Sequence, residues 1–211
     1  MRITVFGAAG NVGSRVVTEA LSRGHEVTAV VRSADRVREL PAAARACIGD
    51  ASNAQNVLEL SAGQDLVISA TRPQPGHEDK LVTTVKALLA GLSRTAVRLL
   101  VVGGAGSLNV PGTGGTVLDD PSFPDAWRAI AQACTDQLEI CRAEAVVDWA
   151  YLSPPALLEP GERTGAYRLG ADELLVDGEG NSRISMEDLA VALLDEAEQP
   201  KHHRTRFTVA Y

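Results

Sequence analysis

A chain of 211 residues, 45% hydrophobic and 22% charged, has the composition of an ordinary soluble protein and the length for one domain with a full core. Its net charge of −7 excludes a general nucleic-acid binder, which needs a basic face, and points instead to a small-molecule partner. No apolar run approaches bilayer length and the N-terminus reads as a strand rather than a signal peptide, so no membrane association and a cytoplasmic location are expected.

The first strand is expected at residues 2–6, followed by Gly7-Ala8-Ala9-Gly10-Asn11-Val12-Gly13 and a helix over 11–23. A glycine suits the tight turn, a second lets the backbone lie against a pyrophosphate, and a third allows close helix–strand packing. The helix N-terminus then presents free N–H groups to the phosphates. The spacing is G-x-x-G-x-x-G rather than G-x-G-x-x-G, but its place between a β-rich run and an amphipathic helix marks a dinucleotide site. A second strand over 26–31 ends on Arg32-Ser33-Ala34-Asp35-Arg36, where an adenosine ribose would lie. An acidic residue there would favour NAD, whereas Arg32 with Ser33 and Arg36 can hold a 2′-phosphate, so NADPH is preferred with NADH as the alternative. Ser33 also stands where it could cap a helix over 33–40.

A third strand (45–48) leads to Gly49-Asp50, where Asp50 either accepts from the adenine amine or, with Ser52 or Asn53, caps a helix over 53–62. A fourth strand (65–70) closes on Ala70-Thr71-Arg72-Pro73, and after a helix over 77–92 a fifth (97–102) closes on Gly103-Gly104-Ala105-Gly106-Ser107. Small residues at both strand ends let a cofactor pass close to the backbone. A Gly/Pro-rich loop then runs through Pro124, before a helix over 123–144 and a sixth strand over 147–152. Residues 153–184 form a second irregular region, and Ser185-Met186-Glu187-Asp188 reads as the capping box of a last helix over 185–198. Strands alternating with helices imply a parallel, doubly wound α/β sheet whose ligands lie at the strand C-terminal ends.

Chemical groups are few. No Tyr-x-x-x-Lys pair exists, because the residues four beyond Tyr151 and Tyr167 are Pro155 and Ala171. A site poor in acids and bases suits hydride transfer to a flavin-like acceptor, whose delocalised anion solvent can protonate. Ser107 is the hydroxyl expected near the nicotinamide, or else a turn serine bonding its own backbone. The four histidines lack metal-ligand spacing and are expected at the surface; Cys47, Cys134 and Cys141 show no C-x-x-C and are read as buried or half-buried thiols, so no metal site is expected. Trp149 and Tyr151 are expected to pack, although Tyr151 could reach the nicotinamide end; Trp127 is expected to pack rather than serve as a platform, and Arg163 and Arg168 to pin the 153–184 region by salt bridges.

Taken together, Phe6–Gly13, Val101–Leu108, Asp148–Pro155, Pro160–Gly170 and Gly180–Ser185 resemble the atypical short-chain dehydrogenases known as NADH-flavin reductases, with biliverdin-IXβ/flavin reductase as a more distant relative. The resemblance covers nearly the whole chain. It implies a single Rossmann domain over 1–211, strand order 3-2-1-4-5-6, with residues 153–184 as a small C-terminal substrate lobe. It also implies a nicotinamide near Gly103, Ser107 and the Ser153-Pro154-Pro155 turn, and a free flavin bound transiently as substrate. A histidine that follows the Pro-Pro pair in the biliverdin-reducing relative is Ala156 in this chain. The expected protein is thus an NAD(P)H-dependent reductase, monomeric or homodimeric, with Ser107 at the reacting end. A non-catalytic NADP(H) sensor, or a pathway reductase or isomerase acting on a ketone, enone or quinone, are the alternatives.

Overall fold

In the computed structural model, which describes residues 1–211, the apolar runs become parallel strands, the central ones covered on both faces and the edge strand β3 largely exposed. The first six are β1 (Arg2–Phe6), β2 (Glu26–Val31), β3 (Arg45–Ile48), β4 (Leu66–Ser69), β5 (Arg98–Val102) and β6 (Trp149–Ser153). They lie in the order β3-β2-β1-β4-β5-β6, all parallel, which is the Rossmann arrangement expected from sequence. The helices are α1 (Asn11–Ser22), α2 (Ala54–Ser61), α3 (Lys80–Leu92), α4 (Asp125–Arg142) and α5 (Met186–Glu198).

Alternation along each strand divides the core in two. Ile3, Val5, Leu100, Ala150 and Leu152 pack with Val16, Val17 and Ala20 of α1 and with Leu189, Leu193 and Leu194 of α5. Phe6, Leu99, Val101, Trp149 and Tyr151 face the other way, onto Val57 of α2, Val85 and Leu88 of α3, and Leu138 and Cys141 of α4. Trp149 and Tyr151 are therefore core residues, as expected. No helix is long and apolar enough to cross a membrane.

Three features depart from the sequence pattern. The segment expected as a helix over 33–40 is a 3-10 helix, Ala34–Glu39, with no buried residue. Without an apolar stripe it has nothing to bury, and a full α-helix gains no support there. The 153–184 region contains β7 (Leu157–Glu159), β8 (Arg168–Gly170) and β9 (Arg183–Ser185), with β7 and β9 forming their own pair. Finally β10 (Thr205–Ala210) pairs in parallel with β6 and antiparallel with β8, extending the sheet beyond the six expected strands. Phe207 and Val209 enter the core shared by α1 and α5, while Arg206 and Thr208 are buried on the opposite face.

The lobe is pinned through α1 and α5. Arg163 donates to both oxygens of Glu19 (2.7 and 2.8 Å), the ion pair expected of it, whereas Arg168 bonds the carbonyls of Tyr211 and Val176 instead of a carboxylate. Ser185 caps α5 by accepting from the Asp188 N–H (2.9 Å), but the reciprocal half of the expected capping box is absent. The Asp188 carboxylate instead accepts from the Thr164 hydroxyl (2.6 Å), the Gly165 N–H (2.7 Å) and the Tyr211 hydroxyl (2.7 Å). Two histidines expected at the surface are hydrogen-bonded to carboxylates: His25 meets Glu198 at 2.8 Å, and His202 meets Glu196 at 2.7 Å while stacking on Phe207.

Candidate active site

The glycine loop connects β1 to α1 at the C-terminal edge of the sheet. Gly7 has φ of +78°, a conformation that favours glycine, and a Cβ there would lie 2.5 Å from the Ala70 carbonyl oxygen. This contact joins the loop to Ala70 and Thr71 at the end of β4. A Cβ on Gly13 would fall 2.0 Å from the Gly7 oxygen, so the first turn of α1 rests directly on the loop. Gly10 differs: its φ is −76°, and a Cβ would approach no protein atom closer than 3.1 Å. Gly10 is also the N-cap of α1 and supplies no side-chain cap. The N–H groups of Asn11, Val12 and Gly13 therefore have no helical acceptor, and the positive end of the helix dipole faces outward beside Ala9.

At the end of β2, Arg32 and Ser33 are exposed, and Arg32 enters no ion pair. Ser33 makes no side-chain capping bond, so the capping role weighed for it from sequence is not realised. Arg36 is already engaged. Its Nη2 donates to the Ala9 carbonyl (2.7 Å), bracing the glycine loop, and its Nε lies 2.6 Å from Glu39. Asp50 sits at the outer strand β3, where its Oδ1 accepts from the Ser52 N–H (2.9 Å) and hydroxyl (2.8 Å). It shapes the turn, and Asn53 caps α2 by accepting from Gln55 and Asn56.

The ends of β4, β5 and β6 converge beside the loop. Thr71 shares a 3.1 Å hydrogen bond with Ser69, and the Gly103 N–H donates to the Leu152 carbonyl (2.9 Å). Gly103 lies against the ring of Tyr151, and a Cβ on Gly104 would come 2.9 Å from the Cys134 sulfur. Ser153 and Pro154 are buried at the end of β6; the Ser153 carbonyl accepts from Thr208 (2.8 Å), and its own hydroxyl has no protein partner. The loop after Ser107 folds back on itself through the bonds from Val117 to Leu108 and from Leu118 to Gly106, and joins the lobe where Asn109 donates to the Asp172 carbonyl.

Neither the tyrosines nor the buried thiols offer acid–base chemistry at this edge. The fully buried Tyr151 hydroxyl donates to the Cys134 carbonyl (2.8 Å), and burial raises it well above its ordinary value. Tyr167 donates to Asp195 (2.5 Å), and Tyr211 is engaged with Ser185 and Asp188. Burial also pushes the Cys134 thiol up to about 11 and the Cys141 thiol up to about 12, which keeps both protonated and inert near neutrality.

Two residues stand out differently from their expected roles. Trp127, expected to pack, is 54% exposed at the start of α4, with the Arg72 guanidinium 5.5 Å from its ring centroid. Arg206, on the unforeseen β10, is buried and donates through Nη1 to the Ser107 hydroxyl (2.9 Å) and carbonyl (3.0 Å). Ser107 is thus more than a turn serine bonding its own backbone. The one sequence signal for Arg206 is the alternating Thr205–Ala210 run, in which a charged residue falls on a buried face.

Residues 7–200 match the family model described as NAD(P)H-binding. A solved Burkholderia pseudomallei protein, provisionally described as exported, is 42% identical with a TM-score of 0.90, covering 100% of both chains. A Bacteroides thetaiotaomicron protein provisionally named an epimerase is 40% identical with a TM-score of 0.91, over 100% of this chain and 96% of that one. A Streptococcus pneumoniae protein provisionally named an NADH-flavin reductase is 33% identical with a TM-score of 0.91, over 100% of this chain and 99% of that one. The three descriptions differ, so the reaction has to be argued from the residues.

Proposed function

This chain belongs to the NAD(P)H-binding family, and on that premise we propose that it passes hydride from NADPH to a free flavin or a similar flat conjugated acceptor. One observation carries the reading: the residues that close β5 and β6, 103–107 and 153–156, include no titratable side chain. Reduction of an isolated carbonyl needs a proton delivered to a localised alkoxide. A conjugated ring spreads the incoming electron pair over several atoms and takes its proton from solvent afterwards. The same observation weighs against an epimerase that removes a proton through tyrosine, because all three tyrosine hydroxyls are engaged elsewhere. The name of the pneumococcal relative supports the flavin as acceptor.

The residues fit the cofactor. The uncapped start of α1, with Gly10 as its N-cap, offers N–H groups to a pyrophosphate, and exposed Arg32 and Ser33 suit a 2′-phosphate. When bound, NADPH supplies the hydride. Ser107 is the hydroxyl that would touch the acceptor, at the strand end where donor and acceptor would stack at reacting distance.

The direct test is loss of NADPH absorbance in the near ultraviolet, with NADPH or NADH and with FMN, FAD or riboflavin. Flavin-dependent oxidation supports the reading; NADPH binding without turnover replaces it with a redox sensor. Arg32→Ala is expected to raise the KM for NADPH roughly tenfold to a hundredfold, the loss of charge-assisted phosphate bonds, while NADH changes little. Arg36→Ala should instead weaken both cofactors alike, since Arg36 braces the Ala9 carbonyl they share. Equal losses for both cofactors in the Arg32 variant would remove the 2′-phosphate assignment.

A further inference from the structure

We propose that Arg206 is a positioning residue that turns the Ser107 hydroxyl into a committed hydrogen-bond donor toward an acceptor oxygen; this rests on the hydride-transfer reading above. The Arg206 side chain is 3% exposed. Its Nη1 spans the Ser107 hydroxyl and carbonyl, at 2.9 and 3.0 Å, while Nε donates to the Asp172 carboxylate at 2.9 Å and Nη2 also contacts Asp172. A guanidinium has five donors and no acceptor. Oγ of Ser107 must therefore accept from Arg206, and its single proton must be given elsewhere. No protein group takes that proton, although Ser107 is only half-buried.

The proton is thus unspent in a side chain whose backbone and oxygen are both fixed. A positive charge behind the oxygen strengthens the donor, and Asp172, itself 3.5 Å from Arg142, holds that charge in place without reaching Ser107. The ligand chemistry that answers this donor is a carbonyl oxygen conjugated to the carbon or nitrogen that receives hydride. As the C–H bond of NADPH breaks and its electron pair enters the acceptor, negative charge spreads to that oxygen. The hydrogen bond strengthens at that moment, which favours the transition state over the bound substrate. The acceptor keeps the hydride, NADP+ leaves, and one proton from solvent completes the two-electron reduction. Lysine could supply the charge at position 206 but not a fork that reaches Asp172 and both Ser107 oxygens together.

A double-mutant cycle on the full chain tests this, using Ser107→Ala, Arg206→Met and both together. The readouts are kcat for NADPH-driven FMN reduction and the dissociation constant of FMN from protein saturated with NADP+, followed by flavin fluorescence. Ser107→Ala is expected to lower kcat about tenfold to a hundredfold with little change in the KM for NADPH. Arg206→Met should cost a similar factor alone but less than about twofold when Ser107→Ala is already present, because it acts through that hydroxyl. Asp172→Asn, at a half-exposed position, supplies a second route should Arg206→Met not fold: a smaller loss of kcat that disappears in the Ser107→Ala background. Losses that multiply independently would make Arg206 merely structural and overturn the proposal, as would an unaffected Ser107→Ala. FMN binding without reduction would remove the reductase reading alone, and the same cycle on the dissociation constant would then decide; a protein that does not bind FMN removes both.

Discussion

Gly13→Val is expected to leave no native protein, whereas Gly10→Val should fold and lose NADPH. The loop glycines are alike in sequence but not in what surrounds them. A Cβ at Gly13 would meet the Gly7 carbonyl oxygen at 2.0 Å, a backbone atom of the tight turn after β1 that is already bonded to the Gly10 N–H and cannot yield. Separating α1 from the loop would also strip Val16, Val17 and Ala20 from their packing on α5, so the cost should exceed ~5 kcal/mol, at the far end of single substitutions. At Gly10 the backbone is extended, with φ −76° and ψ 169°, a region valine occupies freely, and its Cβ would lie 3.1 Å from the Gly7 carbonyl oxygen, a tight contact that a small local adjustment relieves. On the proposed cofactor site, what valine disturbs there is the pyrophosphate-binding turn. The expected loss in NADPH affinity is roughly a hundredfold or more, since the phosphate's charge-assisted bonds to the helix start go with it. Circular dichroism and NADPH fluorescence separate the two effects. A Gly10→Val protein as unfolded as Gly13→Val would make this glycine structural, and one that still retained NADPH would move the pyrophosphate elsewhere.

The second large effect is predicted far from the cofactor, at Glu196. This carboxylate is 4% exposed and accepts from Arg98 (2.7 Å) and from the N–H groups of Lys201 and His202 (both 3.0 Å), with the His202 ring at 2.7 Å. It therefore ties β5 to α5 and to the turn that enters β10. Glu196→Ala removes the buried carboxylate from Arg98 and leaves it only the half-exposed Asp148, 3.3 Å from Nε, and backbone carbonyls; the change is expected to cost ~3 kcal/mol, lowering Tm by on the order of 10 °C. The combination Arg98→Met with Glu196→Leu should recover much of this, because replacing both charges leaves neither unpaired. Burial opposes ionisation of Glu196, but the bonds from Arg98 and His202 prevail and hold its carboxyl below the ordinary 4.5. A depressed folded-state value stabilises the fold fully above the unfolded value, and that contribution is lost as pH falls through 4.5 toward the folded one. Wild-type denaturation midpoints should accordingly decline below about pH 4.5, and Glu196→Ala should show a shallower decline. A variant as stable as the parent at neutral pH would mean that the ion pair contributes nothing net.

The six parallel strands and the glycine loop were legible because their signals are local. Side chains alternate between two cores in β1, β5 and β6, and the loop follows β1 within a few residues. Roles set by distant partners were not legible. Ser33 and Asp50 each had two readings from sequence; the structure leaves Ser33 without a capping bond and engages Asp50 with Ser52. Trp127 carries the composition of a core residue, yet it stands exposed on the first turn of α4 with the Arg72 guanidinium near its ring. Arg206 is the clearest case. Arginine in a short run of threonines reads as solvated charge, and only pairing with Asp172 and Ser107 makes its burial tolerable.

The position of β10 in the chain has a consequence for biogenesis. A ribosome delivers the glycine loop well before α5 and β10, but α1 buries its apolar stripe against α5, and Ser107 waits for a guanidinium 99 residues later. An interrupted translation product thus lacks both the helix that covers α1 and the group that orients the hydroxyl. Such fragments expose their apolar faces and become targets of proteolysis rather than partially folded, ligand-binding species.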